Sequence, residues 1–525
     1  MGIYINPGNR GFAEIKTENY VDKSGLLGVL NRLVSTERRL SCVSRARRFG
    51  KSYAAQMIAA YYCTGCDSSM LFDDLEIAKD ESYRKYINKY NVLYLDIAKF
   101  FALTDTENLS AYIQDSVKRE LIKEYDYLDD DRSIDEMLSD VVEQSGKQFI
   151  AIIDEWDSPI RADKSTEETQ HKYLEFLRML FKSQITNTVF AGAYMTGILP
   201  IKKDGSQSAI SEFKEYTMIR PQKFARYIGF LDDEVKDICR RNGCSYEKMK
   251  AWYDGYSFRD GEGSISVYNA NSVMEAAYSE EFTSYWRQTS AVNGLRDYIN
   301  MDFDGLGAAA EKLLAGLEIP VKVTTFENDL LSFKSADDVL TMMIHFGYLS
   351  YDEEKESARI PNNEIALEFA DMIHGVTHKE TIARVKESDE LLKAMIAGDE
   401  AKTADIFQRI HMEESSMKYY NNEQALRAII KLAMFTYRDH YIKMEELDTG
   451  LGYADIVYLP KKYENVPALV IELKYNDSAE GAIEQIRQRN YPDVIKDYGA
   501  EIVLVGVSYD KNDLTKKHSC VIERI

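Results

Sequence analysis

Four short apolar runs occur in the N-terminal part of the chain, at residues 40–44, 92–97, 148–153 and 188–196. Between them the sequence has helical periodicity, for example at residues 53–62 and 171–183. Apolar runs of this length without polar alternation are typical of strands that are buried on both faces. Strands that alternate with helices predict a parallel sheet with helices on both of its faces, and therefore an α/β domain.

The character of the sequence changes twice further along the chain. A stretch rich in Ala, Leu, Met and Glu follows, with helical periodicity at 224–239 and 365–400, and strand-like runs return at 452–459, 467–474 and 501–508. We therefore expect three parts: an α/β domain at 1–222, a helical middle region at 223–414 and a second α/β domain at 415–525. Residues 403–416 are the expected boundary region.

Charge is distributed unevenly along the 525 residues. The net charge is -22, which argues against a broad surface that coats nucleic acid. Residues 1–60 carry a net charge of +6 and residues 415–525 a net charge of -2. The excess of acidic residues is therefore concentrated in residues 61–414. Either the middle is a helical region with solvated faces, or anionic ligands bind at the two ends of the chain.

Localisation and cysteine usage follow from the same sequence. No segment approaches about 18 uninterrupted apolar residues and no secretory signal is recognisable at the start, so we expect a cytoplasmic protein without membrane association. Six cysteines would then remain reduced. Cys63 and Cys66 have the spacing of a metal or redox pair, but small half-buried side chains are the simpler interpretation. Cys239 and Cys244 are too widely spaced for the usual zinc knuckle.

The first motif lies at residues 45–52, between a predicted strand and a predicted helix. Gly50, Lys51 and Ser52 match the second half of a phosphate-binding loop, in which the lysine reaches the phosphates and the hydroxyl binds Mg²⁺. Arg45 occupies the position of the first glycine, so the loop must have a different backbone or shape there. A basic turn between a strand and a helix is the alternative interpretation.

The second motif is the pair of acids that ends the run at 148–153. Asp154 is placed to hold Mg²⁺, and Glu155 is placed to polarise an attacking water. Both motifs end predicted strands, where α/β sheets bind ligands, so together they predict a nucleotide site. Thr196 ends another strand and is either a γ-phosphate sensor or a structural residue. An arginine finger stays open among Arg178, Arg220 and Arg226.

The third motif lies near the C-terminus. Glu472 and Lys474 are two apart in a predicted strand and therefore share a face, and a hairpin partner brings Asp455 beside them. Two carboxylates and a lysine suit metal-dependent phosphodiester cleavage. A hairpin with exposed charges is the alternative. Further candidates are Glu423 as a metal ligand, and Gln485 and Arg489, one helical turn apart, as phosphate contacts.

The order of these motifs resembles bacterial AAA-ATPase-like proteins that end in a PD-(D/E)XK nuclease-superfamily domain. The resemblance rests on residues 47–52, 153–160, 196–198, 252–258, 267–269, 452–455, 472–474, 485–486 and 491. It implies a P-loop ATPase domain, a helical middle region and a restriction-endonuclease-like αβββαβ domain. It also implies ATP and Mg²⁺ as cofactors and DNA as the substrate.

The resemblance carries roles over to individual residues. ATP would be bound by Arg48, Phe49, Gly50, Lys51, Ser52 and Asp154; the metal ligands would be Ser52, Asp154, Glu423, Asp455 and Glu472; and the catalytic residues would be Glu155, Asp455, Glu472 and Lys474. Ala454 stands where the superfamily name has proline. For the aromatic segment 252–258 we favour core packing over stacking on a base.

Two classes of function are compatible with the sequence. In the first, ATP hydrolysis controls Mg²⁺-dependent cleavage of DNA, as the complete Asp455, Glu472 and Lys474 set favours. In the second, the chain is a nucleotide-switched regulatory or interaction protein whose nuclease-like domain does not cut. The absence of a basic excess in residues 415–525 favours this alternative. A homo-oligomer or a separate protein partner is compatible with either.

Overall fold

The structure, a computed structural model, describes residues 2–16, 20–104, 108–162, 165–182, 186–201, 203–204, 207–208, 210–261, 263–286, 295, 298–299, 303–326, 333–372, 377–414, 441–445, 456–460, 466–475, 478–488, 501–509 and 517–525. The chain divides into two compact units, Met1–His374 and Gly375–Ile525. Within the part that the structure describes, no helix is both long and apolar enough to cross a membrane.

A five-stranded parallel sheet is the centre of the first unit. Its strands are β1 (Leu40–Ser44), β2 (Asn91–Asp96), β3 (Phe149–Asp154), β4 (Phe190–Gly197) and β7 (Lys214–Tyr216). The short strands β5 (Lys203–Asp204) and β6 (Gln207–Ser208) form a separate hairpin between β4 and β7. The order is β2-β3-β4-β1-β7. Every residue of β1, β3 and β4 is buried, which is why these strands appear in the sequence as uninterrupted apolar runs.

Helices join and cover these strands. They are α1 (Arg10–Ile15), α2 (Gly25–Asn31), α3 (Lys51–Tyr62), α4 (Ser69–Phe72), α5 (Tyr83–Tyr86), α6 (Ile97–Leu103), α7 (Leu109–Glu124), α8 (Ile134–Ser145), α9 (Ser158–Arg161), α10 (Glu167–Lys182) and α11 (Thr186–Val189). The predicted α/β architecture is confirmed. The strand register places Asp96 beside Asp154, so the carboxyl ends of β2 and β3 meet at one edge of the sheet.

The segment after β7 is mixed rather than helical alone. It contains α12 (Asp232–Asn242), α13 (Tyr246–Tyr253), α14 (Ala270–Ser279), α15 (Leu306–Leu314), α16 (Ala336–Phe346) and α17 (Asn363–Met372). Two antiparallel sheets accompany them, formed by β8 (Phe230–Leu231), β9 (Tyr256–Asp260) and β10 (Gly263–Tyr268), and by β11 (Ile319–Pro320), β12 (Ser350–Asp352) and β13 (Ser357–Arg359). These strands are short and partly exposed, so they lack the apolar signal of the central sheet.

The helix predicted at residues 224–239 begins later than the periodicity suggests. Gly229 has a φ of +100°, and α12 starts only at Asp232, where Glu234 accepts a hydrogen bond from the backbone N–H of Leu231. The side chain of Glu234 therefore caps the first turn and fixes the start of the helix.

The second unit is a mixed sheet between helices. Its elements are α18 (Thr377–Ala397), α19 (Glu400–Glu414), β14 (Tyr441–Glu445), β15 (Ile456–Pro460), β16 (Ala468–Tyr475), α20 (Ala479–Gln488), β17 (Ile502–Tyr509) and β18 (His518–Arg524). The strand order is β14-β15-β16-β17-β18, and only β16 and β17 are parallel. Alternate strand residues pack toward α18 and α19 on one face and toward α20 on the other.

This unit begins at Gly375, before the domain start predicted at residue 415. Leu391, Met395 and Phe407 contribute to the same core as the strands, so α18 and α19 belong to the C-terminal unit. The expected boundary region at 403–416 contains α19 as far as Glu414. The three-part division of the chain remains a prediction.

Candidate functional site

The loop between β1 and α3 turns sharply before the first helical residue. Gly50 caps α3 in the left-handed conformation, with a φ of +92°. A Cβ at this position would contact nothing within 4 Å, so the backbone angle itself accounts for glycine here. Gly50 also has no side chain to cover the first-turn N–H groups of α3, which lack partners within the helix. These groups are suited to bind an anion.

Arg45, at the position of the missing first glycine, points away from the loop into the protein. Its side chain is fully buried and donates hydrogen bonds to the carbonyls of Tyr216 (3.3 Å), Thr217 (3.0 Å) and Phe224 (3.3 Å). The guanidinium also lies 5.0 Å from the ring centroid of Phe258. Burial lowers the pKa of Arg45 to about 10, so the group keeps its charge at neutral pH. Arg45 is therefore a structural residue of the loop.

Lys51 is buried at the start of α3 and folds back over the loop. Its ammonium donates hydrogen bonds to the carbonyls of Arg45 (3.0 Å) and Ala46 (2.9 Å). Burial lowers the pKa of Lys51 to about 8, although Glu155 and Asp157 oppose the shift. The ammonium is therefore a desolvated cation held by neutral acceptors beside the loop.

Asp154 lies at the end of β3, where three other elements converge on its carboxylate. One oxygen accepts from the hydroxyl of Thr196 at 2.8 Å, and the other accepts from Tyr94 at 3.4 Å. The hydroxyl of Ser52 also lies near enough to this carboxylate to lower its pKa. Burial raises the pKa of Asp154, and the hydroxyls of Ser52 and Thr196 oppose the rise. Ser52 and Asp154 thus present adjacent oxygen atoms, which are the ligands that Mg²⁺ prefers.

Glu155 follows directly and has a strained backbone, with a φ of +50°. Its carboxylate accepts hydrogen bonds from Arg161 (3.2 Å) and Ser158 (3.3 Å). Burial alone would raise the pKa of Glu155, but Lys51, Arg161 and Arg47 hold it below its ordinary value. The carboxylate is therefore ionised and surrounded by cations.

Arg161 connects Glu155 to a second buried acid. Its Nε donates to Asp157 at 2.8 Å, and Asp157 is completely buried. The same oxygen of Asp157 accepts from the backbone N–H groups of Ile198 (3.0 Å) and Leu199 (2.9 Å), which follow β4. Asp157 thus fixes the chain after Thr196 relative to the end of β3.

The remaining loop residues are anchored to the segment that follows the central sheet. Phe49 is buried and packs edge-to-face on Tyr256, with ring centroids 5.0 Å apart. Arg48 donates to the carbonyl of Tyr285 at 3.0 Å, and Asn269 donates to the carbonyl of Arg47 at 3.2 Å. Only the backbone of Phe49 is in a position to face a ligand, because its side chain belongs to the core.

The aromatic segment at 252–258 packs in the core, as favoured from the sequence. Tyr253, Tyr256 and Phe258 are all buried. Gly255 has a φ of +103°, and a Cβ there would lie 2.0 Å from the carbonyl oxygen of Pro361. The glycine is required by both the backbone angle and this close approach.

The C-terminal candidate residues meet on one face of β16. Glu472, only 2% exposed, and Lys474 both contact Gln485 of α20. The ammonium of Lys474 donates to the amide oxygen of Gln485, and the amide nitrogen of Gln485 donates to the carboxylate of Glu472. The predicted same-face relationship of Glu472 and Lys474 is present, and Gln485 of α20 contacts both side chains.

A glycine lets α20 lie this close to the sheet. Gly506 of β17 pairs with Glu472 in the parallel register. A Cβ at Gly506 would lie 2.4 Å from the carbonyl oxygen of Ala479 and 3.1 Å from the Cβ of Ala482. The absent side chain therefore allows α20 to pack directly over the strand beside Glu472.

Three predicted C-terminal residues, Asp455, Glu423 and Arg489, lie outside the described residues. Within the described ranges, no group of three or more His, Cys, Asp or Glu side chains is arranged to hold a metal ion. Of the open arginine-finger candidates, Arg220 pairs with Glu353 at 2.9 Å and Arg226 with Asp260 at 3.0 Å.

Sequence reasoning gave no role to several residues that shape these sites: Tyr94, Asp157, Arg161, Asn269 and Gly506. Asp157 and Arg161 had a local signal, because their i,i+4 spacing on a helix permits an ion pair. Burial of that pair depends on distant parts of the chain. Tyr94 and Gly506 had no local signal.

Comparison with known proteins agrees with this arrangement. Residues 7–206 match the family described as "Predicted AAA-ATPase", and residues 421–519 match the PD-(D/E)XK nuclease superfamily. The chain thus combines an AAA-ATPase-like region with a C-terminal region of the PD-(D/E)XK nuclease superfamily, which confirms the predicted resemblance.

Individual relatives are more distant. An "uncharacterized protein in vnfD 5'region" of Azotobacter chroococcum mcd 1 is 21% identical over 387 residues, which cover 70% of each chain. Among solved structures, the Aeropyrum pernix ORC2 protein in ADPNP–ADP complexes covers 72% of this chain and 98% of its own, with 12% identity and a TM-score of 0.36. Cdc6p from Pyrobaculum aerophilum covers 70% and 97%, with 9% identity and a TM-score of 0.26.

Proposed function

We propose that this protein hydrolyses ATP in its first unit and uses that reaction to control Mg²⁺-dependent cleavage of DNA by its C-terminal unit. The observation that carries the proposal is the meeting of Ser52, Asp154 and Thr196 beside Lys51 at the carboxyl ends of the parallel strands. This is where an α/β sheet binds a nucleotide.

At the nucleotide site, Lys51 exchanges its carbonyl acceptors for the phosphates of ATP, and the first-turn N–H groups of α3 bind the same phosphates. Arg48, Phe49 and Gly50 shape the loop that surrounds them. Ser52 and Asp154 fit Mg²⁺ as oxygen ligands. When bound, the metal neutralises charge on the phosphates and favours attack at phosphorus.

Glu155 is the proposed base that orients the attacking water. Its ionised carboxylate meets the first requirement for that role. Its present partners, Ser158 and Arg161, hold it in place. Thr196 keeps Asp154 in position through its 2.8 Å hydrogen bond.

At the C-terminal site, Glu472 is the metal ligand supported by the described geometry, and Lys474 is the residue that orients water or stabilises the charged phosphate. Asp455 and Glu423 complete the proposed ligand set, and Gln485 and Arg489 are the proposed phosphate contacts. The contacts of Gln485 with both Glu472 and Lys474 support a shared site.

The second candidate is a nucleotide-switched binding protein that does not cut. It is favoured by the net charge of -2 in residues 415–525, which gives little long-range attraction for a duplex. In this alternative, ATP at the first unit changes the affinity for a protein or nucleic-acid partner.

One experiment separates these candidates. Labelled linear, circular and single-stranded DNA is incubated with Mg²⁺ or Mn²⁺, with and without ATP. The proteins compared are wild type, Lys474→Ala, Lys51→Ala and the surface control Lys393→Ala, whose exposed side chain pairs with Asp389. The ATP-controlled nuclease is supported if Lys474→Ala abolishes cleavage while Lys393→Ala does not. The same hypothesis requires that cleavage by Lys51→Ala no longer depends on ATP. Absence of cleavage by folded wild type in every condition supports the binding protein.

A further inference from the structure

Two cysteines meet at the end of the helix that begins with Lys51. Cys63 is the C-terminal cap of α3, and Thr64 and Gly65 form the turn that leads to Cys66. Gly65 has a φ of +83°, which lets the chain reverse within these two residues. The sulfur of Cys66 donates to the carbonyl of Cys63 at 3.5 Å, and the sulfur of Cys63 donates to the carbonyl of Thr64 at 3.2 Å, so both thiols are held within the same turn.

The two thiols differ in exposure. Cys63 is completely buried, whereas Cys66 is half-buried. A reagent from solution therefore reaches Cys66 before it reaches Cys63. An exposed attacking thiol with a buried partner is the arrangement that dithiol–disulfide exchange requires.

Asn88 holds the turn around both cysteines. Its amide nitrogen donates to the carbonyl of Cys63 at 2.7 Å and to the sulfur of Cys66 at 3.7 Å. Its amide oxygen accepts from the backbone N–H of Ser68 at 2.9 Å. Asn88 has a φ of +55°, a conformation that asparagine tolerates better than most residues. The turn is thus fixed by side-chain contacts as well as by sequence spacing.

The two sulfurs also differ in reactivity. The neighbouring Cys63 thiol lowers the pKa of Cys66, and the Cys66 thiol, together with burial, raises the pKa of Cys63. Because the thiolate is the nucleophile, Cys66 is the more reactive of the two at neutral pH.

A metal site is the competing explanation for this spacing. Structural zinc requires four ligands. Among the residues that the structure describes, no third His, Cys, Asp or Glu joins Cys63 and Cys66 in a group suited to a metal. A second pair of cysteines consists of Cys239, in the last turn of α12, and Cys244, just after that helix, and the backbone N–H of Cys244 donates to the carbonyl of Cys239 at 3.1 Å.

We propose that Cys63 and Cys66 form a dithiol–disulfide exchange site whose substrates are small-molecule disulfides. The Cys66 thiolate attacks one sulfur of the disulfide, forms a mixed disulfide and releases the first small thiolate. Cys63 then loses its proton and attacks the sulfur of Cys66, which releases the second small thiolate. The two cysteine thiols are oxidised to one disulfide, and the small disulfide is reduced to two thiols. This chemistry does not depend on the proposed nucleotide or nuclease activities.

Glutathione disulfide is the probe for the test. The reduced full-length protein is incubated with it near pH 7, quenched with acid, alkylated and analysed by peptide mass spectrometry. Wild type is expected to contain a Cys63–Cys66 disulfide without a retained adduct. Cys63→Ser is expected to retain the glutathione adduct on Cys66, and Cys66→Ser is expected to leave Cys63 unmodified.

A rate measurement provides a second readout on wild type alone. Iodoacetamide is expected to alkylate Cys66 about tenfold faster than Cys244 at pH 7, because the neighbouring Cys63 thiol lowers the pKa of Cys66. Cys244 is the matched comparison, since it is also half-buried and follows a cysteine partner. Circular dichroism checks that each variant is folded, and Cys63→Ala replaces Cys63→Ser if the buried serine prevents folding.

The proposal is overturned if folded wild type keeps both thiols reduced at the most oxidising glutathione ratio. It is also overturned if Cys66 is alkylated no faster than Cys244, or if oxidation of Cys63 proceeds equally well in Cys66→Ser.

Discussion

Arg161 donates a hydrogen bond to Glu155 at 3.2 Å, so a buried guanidinium forms an ion pair with a partly exposed carboxylate at the carboxyl end of β3. The same guanidinium neutralises the completely buried Asp157. One cation therefore supports both the proposed catalytic base and the acid that fixes the chain after β4.

Replacing Arg161 with glutamine is expected to destabilise the first unit by about 3–5 kcal/mol, because a buried carboxylate at Asp157 loses its cation. Urea denaturation followed by circular dichroism measures the change. Arg10→Ala is the control, since its pair with Glu14 is exposed, and we expect a loss below about 1 kcal/mol there. Equal stabilities of the two variants would contradict the structural role of Arg161.

Glu155→Gln is expected to separate nucleotide binding from hydrolysis. The amide keeps the size of the side chain but cannot accept a proton, so the ATPase rate falls by roughly 10²–10⁴-fold. ATP affinity, measured with a fluorescent analogue, is expected to stay within a few-fold of wild type because Lys51 is retained. Unchanged turnover in this variant would exclude Glu155 as the base.

ATP affinity is expected to fall as the pH rises through about 8. Burial lowers the pKa of Lys51 to about 8, so the free protein loses this positive charge above that pH. Binding the phosphates then requires uptake of a proton, and affinity declines by up to about tenfold for each further pH unit. Calorimetric titration between pH 7 and 9.5 measures the effect.

Lys51→Arg is the matched control for this pH profile, since arginine stays charged throughout the range. Its ATP affinity is expected to be lower at pH 7 but nearly independent of pH. A flat profile in wild type would show that Lys51 keeps its charge in the free protein.

Gly506→Ala is expected to weaken the C-terminal site without altering any of its polar residues. The new Cβ would lie 2.4 Å from the carbonyl oxygen of Ala479, so α20 must move away from β17. The contacts of Gln485 with Glu472 and Lys474 then loosen. Stability is expected to fall by about 1–3 kcal/mol, and DNA cleavage is expected to fall with it.

Gly263→Ala is the control for Gly506→Ala, because the nearest atom to its Cβ, the carbonyl oxygen of Asp260, lies 3.9 Å away. Limited proteolysis and a cleavage assay compare the two variants. If Gly506→Ala behaves like Gly263→Ala, close packing of α20 is not required.

Glu364 provides a pH-dependent test of stability. Burial raises the pKa of this carboxyl to about 7, although hydrogen bonds from Tyr285 and Ser272 oppose the rise. The unfolded chain has a value near 4.3. The folded protein therefore binds more protons between these values, and its stability falls as the pH rises from about 4.3 to 7.

Glu364→Gln removes this dependence, so its advantage over wild type is expected to grow to as much as ~3 kcal/mol at pH 8. Its carbonyl oxygen still accepts from Ser272 and Tyr285. Thermal unfolding at pH 5 and pH 8 measures the difference, with the exposed Glu247→Gln as control. A constant difference between wild type and Glu364→Gln at both pH values would contradict the expectation.

Features that depend on the pattern of neighbouring residues could be predicted from the sequence. Uninterrupted apolar runs predicted the buried parallel strands, and the residues at their ends predicted that Lys51 and Asp154 would lie close together. The alternation in β16 likewise placed Glu472 and Lys474 on one face. In each case the pattern of neighbouring residues determines the result.

Features that depend on distant contacts were not predictable in this way. Phe49 looks like a loop residue in the sequence, but it is buried because Tyr256, 207 residues later in the chain (256 − 49), packs against it. The strands β9 and β10 are short and mix buried with exposed residues, so they contain no uninterrupted apolar run. Arg161 is buried because it pairs with Asp157 at a point where the chain after β4 also contacts Asp157. That contact forms only in the folded protein.

The direction of the Arg45 side chain ties the loop between β1 and α3 to residues much later in the chain. Its carbonyl partners at Tyr216, Thr217 and Phe224, and the ring of Phe258, all lie after residue 206, where the AAA-ATPase-like match ends. A fragment ending at that residue would leave a buried cation without these acceptors. The loop between β1 and α3 therefore depends on the segment through Phe258 for its shape, so the matched region up to residue 206 does not contain every contact that fixes this loop.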